Sequence, residues 1–129
     1  MRSLTRSMWR RVPLVITFVV VCVMLFGPAP DTPSPIPHLD KAVHFVLFAA
    51  LALTSCFAQI RALPTLLWVS TFAVLSELLQ GALPGNRTAD VLDVAADIVG
   101  AVAGLLAARA TFLRPDGRPS AERSHPSNR

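Results

Sequence analysis

DKAVHFVLFAALALTSCFAQIR, residues Asp40–Arg61, decides how the rest of the chain reads. Between Lys41 and Arg61 lie 19 residues without a formal charge, interrupted only by His44. A membrane-spanning helix needs about 20 mostly apolar residues, so this stretch reads as a span. Working outward, 19 uncharged residues separate Arg11 from Asp31. Another 15 separate Arg61 from Glu77, and the apolar character continues to Leu79. A fourth segment, from about Asp90 to Ala110, carries three Asp and is free of charge only over Ile98–Ala108. Gly100 and Gly104 give it a small-xxx-small face on which a neighbouring helix packs closely.

The composition agrees with that reading. The 129 residues are 53% hydrophobic and 16% charged, with a mean hydropathy of +0.53, too little charge to coat a soluble domain. The chain therefore reads as all-α, a four-helix transmembrane bundle over residues 12–110. Residues 1–11 form a basic N-terminus, and residues 111–129 a disordered basic tail rich in Pro, Ser and Arg. Pro13 is expected in the first turn of segment one, where its missing N–H costs little. The prolines from Pro28 to Pro37 make a stiff extended link. Arg61-Ala62-Leu63-Pro64 allows only a tight helical hairpin, and Leu83-Pro84-Gly85-Asn86 reads as a turn.

Orientation follows from charge. With both termini cytoplasmic, ten of the 12 Lys and Arg lie inside, and only Lys41 and Arg87 outside. That is the bias of the positive-inside rule. Trp9 and Trp68 fall toward the inner interface, as an aromatic belt would. A cleaved signal peptide is the alternative for segment one, with Gly27-Pro28-Ala29 as the site; Pro30 directly after it disfavours cleavage. The pI near 10.5 does not point to nucleic acid, because the basic residues sit at segment ends and in tails, not in an aromatic-interleaved stripe. Cys22 and Cys56 are expected at different depths, too far apart for a disulfide.

Three ionisable clusters end the apolar segments: Asp40-Lys41-x-x-His44, Glu77-x-x-Gln80, and Arg87-x-x-Asp90-x-x-Asp93-x-x-x-Asp97. In this topology all lie at the outer face, where charge at the edge of hydrocarbon is costly. Asp40 and His44 share a helical face, so a carboxylate can orient the imidazole as general base or ligand; Asp40 as a helix cap is the bland alternative. Glu77, at the negative end of a helix dipole, needs a partner: Arg87, Lys41 or a group outside the chain. Asp90 and Asp93 are explicable as helix-start acids. Asp97, two turns in, has no such help and must be paired, hydrated or protonated. Acids with one His suit Mg²⁺, Mn²⁺ or Ca²⁺ better than Zn²⁺, but the spacing matches no metal signature, so no metal and no cofactor are assigned.

D-K-x-x-H-F-x-x-F at Asp40–Phe48, S-E-x-x-Q at Ser76–Gln80, P-G-x-R-x-x-D-x-x-D at Pro84–Asp93 and G-x-x-x-G at Gly100–Gly104, in that order, resemble the VanZ-like family over about residues 12–108. Asp97 stands where that family commonly has Asn, and no role is carried to it. The resemblance implies a small multi-pass protein of a bacterial cell membrane. It further implies a link to the cell envelope and to antibiotic resistance, since the founding member is associated with low-level teicoplanin resistance. It brings no catalytic residues and no cofactor. The leading expectation is an acidic, His-containing pocket of Asp40, Lys41, His44, Glu77, Gln80, Arg87, Asp90, Asp93 and Asp97 at the outer face. Its partners would be membrane lipids and lipid-linked cell-wall precursors. Two alternatives stand beside it: a membrane enzyme acting on a lipid-linked phosphoryl or sugar substrate, and a structural assembly partner.

Overall fold

The computed structural model describes residues 2–28, 36–83 and 89–112, with the side chains of residues 2–6 and 112 left aside. Four helices make up nearly all of it: α1 (Arg2–Phe26), α2 (Leu39–Phe57), α3 (Ala62–Ala82) and α4 (Val91–Phe112). Each contains a stretch of 19 to 21 residues long and apolar enough to cross a membrane. Among the described residues there is no strand.

Their flanks say what surrounds them. Val15, Ile16, Val19 and Val23 on α1, Leu67, Leu75 and Leu78 on α3, and Val99 and Leu106 on α4 all point outward and are more than half exposed. In water such a belt would be a large apolar patch seeking a partner; against lipid tails it costs nothing. The chain is a multi-pass membrane protein. Its interior is thin, built on Val21 and Leu25, Phe48, Leu51 and Ala52, Val69 and Ala73, and Ala101 and Leu105, one group from each helix in turn.

Two expectations about the first segment change. The basic stretch is no separate unit, because α1 already starts at Arg2. Arg, Leu and Met are good helix formers, and nothing before Pro13 breaks the helix. Pro13 consequently lies inside α1, where its ring removes one i→i−4 hydrogen bond. Asp40 is not the cap of α2 either. The N-cap is His38, in the left-handed region at φ 60° with no side-chain cap bond, and Asp40 lies in the first turn, where the helix dipole favours an acid.

The α2–α3 hairpin is closed by backbone alone. Ile60 N–H donates to Ser55 O at 3.1 Å and Gln59 N–H to Cys56 O at 2.9 Å, the bond pair of a Schellman ending. Its left-handed position is Gln59, φ 68°, where glycine is the usual residue. In α3 Pro64 falls within the first turn, where no intrahelical N–H is needed. The ring of Trp68 packs against the core, 6.4 Å from that of Phe18. Phe18 in turn meets Phe72 at 5.2 Å, and Phe72 meets Phe48 at 5.8 Å. The two cysteines are free.

The central contact is between α2 and α4. A Cβ added to Gly100 would collide with the carbonyl oxygen of Phe45, and one added to Gly104 with that of Ala49. Only hydrogen fits at those two positions, so the backbones lie closer than any side chain allows. Residue numbers rise together along this seam, so α2 and α4 run parallel, with α1 and α3 antiparallel to them. Arg10, Phe57, Ala62 and Arg109 line one crevice. The start of α1, the end of α2, the start of α3 and the end of α4 therefore share one end of the bundle, called here the basic end.

Because the obstructing atoms are backbone, they cannot swing aside. Gly100→Ala and Gly104→Ala are each expected to lower stability by about 1–3 kcal/mol, the cost of overpacking. Leu106→Ala, on the lipid-facing side, should change it little. Unfolding in detergent followed by circular dichroism checks this; equal effects of all three would remove the close-contact account.

Candidate functional site

The other end of the bundle holds the polar residues, and helix start chemistry explains the first of them. Asp90 is the N-cap of α4: its Oδ1 accepts from Leu92 N–H at 2.8 Å, satisfying one orphan donor of the first turn. Its own N–H donates to Glu77 Oε1 at 2.5 Å. In an ordinary capping box a Glu on the same helix takes that N–H; here α3 supplies it. Glu77 is 4% exposed, and this bond fixes the end of α3 to the start of α4.

Lys41, on the first turn of α2, reaches the same place from the opposite wall. Its ammonium donates to Asp90 Oδ2 at 2.7 Å and to Asp93 Oδ1 at 2.9 Å. The contact to Asp40 is longer, 3.4 Å, and the Asp40 side chain is largely in solvent. One turn deeper, His44 Nδ1 lies 3.0 Å from Asp97 Oδ1. An ionised Asp97 makes this nitrogen the protonated donor. Asp97 is fully buried and His44 nearly so, and His44 lies within electrostatic reach of Asp97, Asp93 and Glu77 together.

His44, Glu77, Asp90, Asp93, Asp97 and Lys41 thus converge where α2, α3 and α4 meet. Gln80 does not join them: its Nε2 donates to Leu25 O at 2.6 Å. That carbonyl belongs to the last turn of α1, which has no intrahelical donor left. Asp40 stands at the rim, and Arg87 lies outside the described residues. The partner that Glu77 needed is the main-chain N–H of Asp90, and that of Gln80 is a main-chain carbonyl. Backbone groups carry no residue-type signal, so neither pairing is readable from sequence.

Among the described residues, four buried side-chain atoms lack a hydrogen-bond partner, Thr65 Oγ1 and Trp68 Nε1 outside this cluster and two acceptors within it. Glu77 Oε2 and Asp97 Oδ2 are buried and have no hydrogen-bond partner, and an orphaned buried acceptor costs about 1–3 kcal/mol, more when charged. Charge is also unbalanced. Among the described residues, Lys41 and His44 face the five carboxylates Asp40, Glu77, Asp90, Asp93 and Asp97. The seam therefore favours hydrogen-bond donors or cations. Among the described residues no group of three or more His, Cys, Asp or Glu is arranged to hold a metal ion.

At the water-facing lip, the Lys41 ammonium bonded to Asp90 holds that carboxyl below its ordinary value, helped by Leu92 N–H. A depressed folded-state value means that this contribution to stability is complete above about pH 4 and is lost as pH falls through the lowered value. Lys41→Met should lower thermal stability at neutral pH and flatten the loss seen on acidification below pH 4. Melting curves from pH 7 downward test it; an unchanged acid limb would mean that the Lys41–Asp90 pair is energetically silent.

A family model described as VanZ/LLP1 matches residues 3–113. No curated protein matches the chain, and no solved structure does.

Proposed function

The chain belongs to the VanZ/LLP1 family, and from that premise we propose that it is a cell-membrane protein whose polar seam engages an envelope component. The group it takes is a hydrogen-bond donor, a hydroxyl or amine of the kind carried by a lipid-linked cell-wall precursor. By holding that component it changes how glycopeptide antibiotics meet the surface. One observation carries the reading: the buried Glu77 Oε2, without a hydrogen-bond partner. An acceptor kept in that state is accounted for when a ligand supplies the donor. The surplus of carboxylates supports a donor over a phosphoryl group, which they would repel.

A second reading has its own support. Lys41 on Asp90 and Asp93, Glu77 on the Asp90 N–H, and Gln80 on Leu25 O each join two different helices. On that reading the residues lock the bundle, and the protein serves as an assembly partner.

Glu77→Gln separates the two. The amide keeps an acceptor for the Asp90 N–H but replaces Oε2 with a donor, so the lock survives and the orphan acceptor is lost. Glu77→Gln and His44→Ala are expected to bring teicoplanin susceptibility to that of a deletion strain, with Glu77→Gln retaining wild-type thermal stability. Full function in Glu77→Gln would leave the lock reading and sink the binding one.

The seam engages an envelope component from outside only if both termini are cytoplasmic, as the ten-to-two distribution of Lys and Arg supports. A reporter fused after Ala110 should signal from the cytoplasm; an extracytoplasmic signal would invert the topology.

A further inference from the structure

The basic end of the bundle has its own chemistry. Two crevices open there, of about 620 and 720 Å³. Arg10, Gln59 and Ile60 line both; Arg109 lines the first and Arg11 the second. We propose that this end is a binding site for the phosphate of an anionic membrane lipid, held by Arg10 and Arg109 with Arg11 alongside.

Charge is the first argument. Every acid among the described residues, Asp40, Glu77, Asp90, Asp93 and Asp97, lies at or near the opposite end. Arg10, Arg11 and Arg109 accordingly have no ion-pair partner among the described residues. Guanidinium groups on two different helices, α1 and α4, edge a single cavity. Arginine's planar fork is matched to phosphate oxygens, and converging cations without a counter-ion repel one another until an anion joins them.

The walls choose a lipid over a free anion. Beside the arginines, the first crevice is lined by Phe57 and Ala108 and the second by Leu14 and Val15. Val15 continues directly into the exposed apolar belt of α1. A headgroup between the arginines can therefore leave its acyl chains on a surface already facing hydrocarbon. The amide of Gln59, on the α2–α3 loop, adds a neutral donor common to both crevices. The start of α3 at Ala62, whose N-cap Arg61 makes no side-chain cap bond, adds uncapped N–H groups at the edge of the first crevice.

The full-length protein in a mild detergent, titrated with phosphatidylglycerol, phosphatidylcholine and inorganic phosphate and read by native mass spectrometry and thermal shift, tests this. Phosphatidylglycerol should be retained and should raise the melting temperature, with phosphatidylcholine doing neither. Arg10→Gln and Arg109→Gln should each weaken retention about tenfold, as loss of a charged hydrogen bond does, and Arg10→Lys less than Arg10→Gln. Arg61→Gln removes the same charge at the same end but lines neither crevice, and should leave retention unchanged. Equal weakening by Arg61→Gln would reduce the effect to general surface charge and overturn the site. Displacement of the lipid by millimolar inorganic phosphate would overturn the lipid assignment in favour of a free anion. Circular dichroism of each variant identifies any that fails to fold, and the lysine variants then carry the comparison.

Discussion

The contact of Gly100 with the Phe45 carbonyl, and of Gly104 with that of Ala49, sets the geometry of the whole molecule. In a membrane, helices gain nothing from hiding apolar surface from lipid, so van der Waals fit and polar pairing must hold them together. Two hydrogens in place of two side chains bring α2 and α4 to backbone contact. The same registry then places Lys41 against Asp93 and His44 against Asp97. A shift of one turn along that seam would break both pairs.

The two ends of the bundle are chemically opposite. At one end the carboxylates outnumber the cations, and buried groups from α2, α3 and α4 bond one another until two acceptor oxygens remain. At the other, arginines from α1 and α4 edge crevices with no acid among the described residues near them. Between lie mostly apolar side chains and helix-internal hydroxyl bonds, such as Ser55 to Leu51 O. The separation is what a membrane demands, since charge is tolerated only toward the interfaces. Among the described residues it leaves each end short of the counter-charge that the other holds, with hydrocarbon between them.

The α2–α3 loop is short. Four residues carry α2 into α3 through a Schellman ending that uses Gln59 in a left-handed conformation. A glycine would adopt that conformation at less cost, and the side chain kept there lines both crevices of the basic end. At the opposite end Glu77 of α3 accepts the N–H of Asp90, the residue that caps α4.

Much of this was legible in the chain. The lengths of the charge-free stretches fix three spans, the i, i+3, i+7 spacing puts Asp90, Asp93 and Asp97 on one face, and Gly100 with Gly104 announces both a fourth helix and its close contact. Motif order carries the family. Sequence alone misplaced what depends on local continuity: the start of α1, the position of Pro13 within it, and the cap of α2. Which helix the glycine face would meet was not readable, nor were the partners of Glu77 and Gln80. Both of those are main-chain groups brought near by folding, and every residue type carries the same main chain. Hydrophobic length is a property of the chain by itself, whereas a hydrogen bond across helices exists only once packing has set the distance. That is why the spans belong to the sequence and the polar seam to the tertiary structure.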